Sequence, residues 1–155
     1  SPIDFDALEY KNYCVWPEIF NINIKKLHAN QKTKLGFIFN TDKHYQPGSH
    51  WIAMFVDLEK NVIFFFDSNG TKQPGQITKL IKKIDNQCKK NMNMNMNIDT
   101  NHPRVHQRQD GECGMYCLYF IISLIKKRHN TDYFKKRRVA DSCMAKLRNV
   151  YFNNI

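Results

Sequence analysis

Ser49-His50-Trp51-Ile52-Ala53-Met54-Phe55-Val56-Asp57 and Val62-Ile63-Phe64-Phe65-Phe66-Asp67-Ser68 are two apolar runs joined by the polar turn Leu58-Glu59-Lys60-Asn61. Short, continuous apolar runs bounded by turn signals mark buried strands. Two of them separated by a few polar residues mark a hairpin. The residue before the first strand of a hairpin lies beside the residue that ends the second. His50 is thereby placed next to Asp67. A carboxylate in that position fixes the tautomer of an imidazole and stabilises its charged form.

Upstream of the hairpin, Leu35 to Asn40 reads as a strand, and Thr41 to Ser49, with Pro47-Gly48, as a loop. Downstream, Ser68 to Gly75 is a loop carrying Asn69-Gly70 and Pro74-Gly75. Gln76 to Lys90 has apolar residues at 77, 80, 81, 84 and 88, the spacing of a helix with a lysine-rich outer face. Asn91 to Asn97 alternates Asn and Met and reads as a weak edge strand or a loop. A short strand is expected near Arg104 and Val105. The apolar run Met115 to Ile125 belongs to a buried helix that starts at Cys113 and ends near Lys127. Val139 to Phe152 forms a last amphipathic helix. Residues 1–34 read as loosely helical or irregular, with Tyr13, Trp16 and Phe20 as aromatic anchors. The order predicts an α+β fold, a small central mixed sheet flanked by helices. Residues 1–155 make one domain, with 1–34 as an N-terminal segment on the substrate side.

Gln107-Arg108-Gln109-Asp110-Gly111-Glu112-Cys113-Gly114 places a cysteine after a glycine-bearing turn and at the head of that buried helix. The positive end of a helix dipole favours the thiolate. The side-chain amide of Gln107 reaches toward the same point. A thiolate, a backbone N–H and an amide donor make a nucleophile with an oxyanion hole. Rival readings exist for several residues. His44 is a second candidate base, but sits mid-loop with no strand after it. Asn69 can orient His50 in place of Asp67. Cys117, one turn beyond Cys113, is core or a redox partner. Trp51 is core or the roof of a narrow cleft. His102 and His106 with Cys88 and Cys113 fit no zinc spacing, so no metal and no cofactor is expected.

A length of 155 residues suits one domain, and 42% apolar residues with 11 Phe, 7 Tyr and 2 Trp suffice for a core. No apolar run is long enough to cross a membrane, and no secretory signal opens the chain. Its first residue is Ser1, compatible with a piece of a longer protein. Five cysteines without a disulfide pattern read as reduced thiols, hence a reducing setting. The formal charge of +10 implies salt-sensitive, non-specific attraction to nucleic acid. Lys126-Lys127-Arg128 and Lys135-Lys136-Arg137-Arg138 are the basic clusters, either solvated faces or nucleic-acid contacts.

In combination, His50-Trp51, Asp67-Ser68, Gln107 and Cys113-Gly114 resemble the cysteine peptidases of the SUMO-protease (Ulp1) and adenovirus-protease group. The gaps of 17 from His50 to Asp67 and 6 from Gln107 to Cys113 match that group. Asn40-Thr41-Asp42, Phe55-Val56-Asp57, Asn69-Gly70 and Pro74-Gly75 add a likeness to the maturation proteases of large DNA viruses, such as that of African swine fever virus. Glu112 stands where SUMO proteases usually carry Asp, and the swine fever enzyme has Asn in place of Asp67. The resemblance implies a papain-like catalytic core in permuted order, His50, Asp67, Gln107, Cys113. It implies a thiol endopeptidase in which Cys113 attacks, His50 moves the proton, Asp67 orients His50, and Gln107 helps hold the oxyanion. Trp51 would then roof a cleft that admits Gly-Gly-X sites. Viral polyprotein maturation, in the virion interior or the host cytoplasm or nucleus, is the first expectation. Removal of SUMO-like or ubiquitin-like modifiers is the second. A non-catalytic module that binds nucleic acid is the third.

Overall fold

The computed structural model describes residues 1–8 and 14–152. Its sheet has the order β1 (Lys34–Asn40), β2 (Trp51–Asp57), β3 (Val62–Phe66) and β4 (Asn97–Thr100). The first two pairings are antiparallel and β3 pairs β4 in parallel, so the sheet is mixed. Around it run α1 (Pro17–Phe20), α2 (Ile24–Ala29), α3 (Gly75–Met92), α4 (Cys113–Ile125), α5 (Thr131–Lys136) and α6 (Asp141–Tyr151).

The apolar continuity of the hairpin has a structural cause: both faces of β2 and β3 are covered. Ile52, Met54, Val56, Ile63 and Phe65 pack against Ile77, Leu80, Ile81, Ile84 and Cys88 of α3 and Ile24 of α2. Ala53, Phe55, Phe64 and Phe66 turn the other way, onto Met115, Tyr116, Cys117 and Phe120 of α4, with Phe134 and Met144. Phe66 and Phe120 stack with centroids 4.6 Å apart. Each buried large side chain of this kind contributes on the order of 1.5–3 kcal/mol by leaving water. The α3 and α4 helices therefore clamp the sheet from opposite sides.

Several expectations change. The strand expected near Arg104 and Val105 is absent. The fourth strand is Asn97–Thr100, and Arg104 instead closes a turn through its N–H to Asn101 O at 2.6 Å. The Asn/Met stretch divides: its start extends α3, Asn93 ends that helix in the left-handed region at φ 52, and Asn97 opens β4. Met92, Met94 and Met96 pack against the core on the α3 side. The short α5 was not expected; Asn130 caps it and only Phe134 is buried, too little for a periodic signal. The last helix begins at Asp141, because the Val139 N–H is drawn to His106 Nδ1 at 3.2 Å. Lys127, at φ 54, lies beyond the end of α4. In the N-terminal region Ile3, Phe5, Ile19 and Ile24 enter the core, while Trp16 and Phe20 stay substantially exposed. Tyr13 lies outside the described residues.

Candidate active site

The β2–β3 hairpin brings the residue before β2 to the residue after β3. His50 Nε2 and Asp67 Oδ1 lie 2.7 Å apart. Asp67 is 1% exposed, and its backbone is held as if the strand continued. Its N–H donates to Asn101 Oδ1 at 2.9 Å, and Asn101 Nδ2 donates back to Asp67 O at 2.7 Å. The Asp67 carboxylate also accepts the Asn69 N–H at 2.9 Å and the Thr71 hydroxyl. Burial pushes its pKa up, but donation from His50, Thr71 and the Asn69 N–H outweighs this and holds it below the ordinary carboxylate value. The group stays ionised. The hydrogen bond to this carboxylate, aided by one to Cys113, raises His50 from 6.5 to about 9 against the effect of burial.

Cys113 is the first residue of α4, and Glu112 before it makes no side-chain cap. The first N–H groups of a helix have no partner within it, and the thiol stands among them. The hydrogen bond from His50 is the main cause lowering the Cys113 pKa; burial opposes it, and the N–H groups of Trp51 and Gly114 add to the lowering. With Nε2 facing Asp67, the Nδ1 side of the His50 ring serves the sulfur. Both shifts point the same way, to a thiolate beside an imidazolium.

Gln107 is nearly buried beside Ser68, the neighbour of Asp67. Its N–H donates to Ser68 O at 2.9 Å, its Oε1 accepts the Ser68 hydroxyl at 2.8 Å, and its Nε2 donates to Gln109 O at 2.8 Å. A primary amide carries two hydrogens, so one donor of Nε2 is left beyond the bond to Gln109. Trp51 is 38% exposed. Its indole edge would lie 3.9 Å from a side chain at Gly114, so the ring stands over the start of α4. On one side of Trp51 is a hollow of about 400 Å³ reached by Cys113, Gly111, Arg148 and Phe152. On the other is one of about 540 Å³ lined by Pro2, Trp16, Asp42, His44 and Pro47. A further hollow of about 370 Å³, between Lys60, Val62, Leu124 and Arg128, lies at the far end of the hairpin and contains none of these residues.

The rival residues hold partners of their own or lie buried. His44 binds Asp4, ring Nδ1 to Oδ2 at 2.8 Å. Asn69 reaches Asp67 through its backbone, a place that does not depend on its side chain. Cys117 is wholly buried, and burial raises its pKa well above the ordinary thiol value. His106 is buried, with Nε2 on Phe134 O at 2.9 Å and Nδ1 accepting the Val139 N–H; burial pushes its pKa down to about 4. His102 Nδ1 lies 2.7 Å from Gly70 O. Sequence reasoning missed Thr71 and Asn101, which sit in loops with no pattern to mark them, and the hold of Ser68 on Gln107.

Residues 4–154 match the model of the Ulp1 protease family, C-terminal catalytic domain. A protein of Acanthamoeba polyphaga mimivirus that carries the provisional name of thiol protease is 34% identical over 88% of this chain and 44% of its own length. The cysteine protease of an African swine fever virus isolate from Malawi is 27% identical over 98% of this chain and 58% of its own. The same protein from a Kenyan isolate, named a SUMO-1 cysteine protease, is 31% identical over the same shares. A crystal structure of the African swine fever virus protease superposes with a TM-score of 0.78 at 23% identity, covering 95% of this chain and 55% of that one. The chain thus spans about half the length of the relatives it matches.

Proposed function

The chain belongs to the Ulp1 protease family, and from that membership and the site geometry we propose a thiol endopeptidase that cuts after Gly-Gly or a similarly small pair. The observation that carries the reading is His50 held between a buried carboxylate and a thiol at a helix start.

The Cys113 thiolate adds to the scissile carbonyl carbon. The oxyanion is received by the Cys113 backbone N–H and the remaining amide hydrogen of Gln107. The His50 imidazolium gives its Nδ1 proton to the departing amine, leaving a thioester on Cys113. Neutral His50 then takes a proton from water, whose oxygen attacks the thioester. The acid product leaves, and the thiolate–imidazolium pair is restored. Asp67 keeps the ring oriented throughout. The core order is the permuted papain-like one, His50, Asp67, Gln107, Cys113. Residues 1–155 act as one catalytic domain, with the N-terminal segment on the substrate side: Pro2 and Trp16 line the hollow beyond Trp51.

The substrate is a viral polyprotein or structural protein undergoing maturation, in a reducing setting that the five free thiols suit. No helix among the described residues is long and apolar enough to cross a membrane. A second reading, cleavage of SUMO-like modifiers, is favoured by the 31% identical relative, a SUMO-1 cysteine protease. Matched fluorogenic peptides test the first. A methyl group forced under Trp51 costs about 1–3 kcal/mol, or about 5- to 150-fold in rate. Gly-Gly↓X is therefore cut faster than Ala-Ala↓X, Cys113→Ala cuts neither, and Trp51→Ala narrows the ratio while lowering turnover. Equal wild-type rates on both peptides would remove the narrow cleft. A strong preference for an intact modifier fusion over the short peptide would favour the second reading.

A further inference from the structure

The α3 helix carries Lys79, Lys82, Lys83, Lys89 and Lys90 against one acid, Asp85. At about 100° per residue, Lys79, Lys82, Lys83, Asn86 and Lys90 fall within an arc of about 100°. That arc lies diametrically opposite the buried Ile77, Leu80, Ile81, Ile84 and Cys88. Asp85 lies on the flank, outside it. All five lysines are exposed, and among the described residues none pairs with a carboxylate. Lys83 bonds the Phe20 carbonyl and lies 5.1 Å from that ring. Between the lysines runs an open hollow of about 480 Å³ lined by lysines and amides alone, Asn86 and Asn91 among them.

The basic clusters conspicuous in the sequence stand differently. Lys135, Lys136 and Arg138 are paired with Asp99, Asp132 and Asp141. Lys126 caps the C-terminus of α4, where the helix dipole already attracts cations, and Lys127 acts on Glu59. We infer that the lysine face of α3 is a docking surface for the phosphate backbone of duplex nucleic acid. From Lys79 to Lys90 the row runs about 16 Å along the helix, and a duplex offers one charge per about 1.7 Å, so every ammonium of the row finds a phosphate. Amides set among ammoniums suit backbone contacts that read no sequence. A membrane surface is the poorer partner, since a helix lying on lipid needs a free apolar face and that of α3 is buried. Because α3 covers the face of the sheet opposite α4, a bound duplex leaves the Cys113 cleft open. Nucleic acid would hold the protein near substrates gathered on it without altering the cut itself.

The test is anisotropy of two fluorescein-labelled DNA duplexes of unrelated sequence across a salt series. The wild type binds both alike. Lys79→Gln/Lys82→Gln/Lys83→Gln/Lys90→Gln weakens binding and lowers the slope of log K against log salt by up to about 3.6, at about 0.9 per phosphate. Lys126→Gln/Lys127→Gln/Arg128→Gln changes it far less. Glutamine keeps helix propensity, and circular dichroism checks the fold of each variant. Cleavage of a short Gly-Gly peptide by the α3 variant stays at the wild-type rate, so failure here is distinct from failure of the protease reading. An α3 variant that binds duplex like the wild type overturns the inference. So does a wild type that prefers phosphatidylserine vesicles to duplex at equal salt.

Discussion

His50 Nε2 and Asp67 Oδ1 meet at 2.7 Å across 17 residues of chain. The meeting follows from the register of β2 and β3, in which Ala53 pairs Phe66. The oxygen that faces the imidazole also accepts the Asn69 N–H, while the Thr71 hydroxyl holds the other carboxylate oxygen.

The first consequence is a pH profile. With Cys113 lowered and His50 raised to about 9, kcat/KM on a Gly-Gly peptide should be flat through neutrality and fall as pH passes about 9. Iodoacetamide at mildly acid pH should label Cys113 before Cys14, Cys88, Cys117 and Cys143; equal labelling of all five would exclude an activated thiol. Stability follows the same ionisation. The folded pKa of His50 lies above its unfolded 6.5, so its contribution is complete below 6.5 and lost as pH rises through about 9. Asp67, depressed from 3.8, contributes above 3.8 and loses that as pH falls through its lower folded value. Urea midpoints of wild type and His50→Gln should differ most below 6.5 and converge above 9.

Asp67→Ala should reduce kcat by up to about 10⁴-fold. Asn69→Ala should change it little, because the contact comes from a backbone N–H that alanine retains. Thr71→Val should fall between them. Steady-state kinetics on one peptide ranks the three, and an Asn69→Ala defect larger than that of Asp67→Ala would reassign the orienting residue.

Gly70 has φ +68, and a side chain there would lie 2.7 Å from Arg104 O. Gly70→Ala should therefore cost at least about 1–3 kcal/mol. Asn101→Ala should cost a similar amount, about 1–3 kcal/mol, by leaving the buried Asp67 N–H without an acceptor. Urea unfolding measures both. A wild-type midpoint for either would mean that the 67–71 and 101–104 turns do not support one another.

Arg148 reaches from α6 to the loop before Cys113, donating to Gly111 O at 3.3 Å and to Glu112 Oε2 at 3.0 Å. The pair is partly exposed, so Arg148→Ala should shift stability by no more than about 1 kcal/mol. Misplacing the turn that carries Cys113 can still lower kcat by up to about 100-fold. A drop in kcat with unchanged KM, rescued in part by Arg148→Lys, would mark a positioning role; unchanged kcat would dismiss it.

Much of this molecule is written in local pattern. The hairpin, α3 and the start of α4 each announce themselves through runs or periods of apolar residues, because each buries its own side chains against a neighbour whatever that neighbour is. The same logic set His50 beside Asp67, since a hairpin joins its own ends. Tertiary structure alone decided the rest. The fourth strand forms at Asn97–Thr100 because β3 offers it a parallel edge, and the Arg104 region turns away because Asn101 binds both Asp67 and Arg104. Thr71, Ser68 and Asn101 acquire their partners only when loops distant in sequence are folded together. Which lysines remain free is likewise decided in three dimensions. An ion pair such as Lys135–Asp99 joins residues 36 apart, and no local period records such a distance.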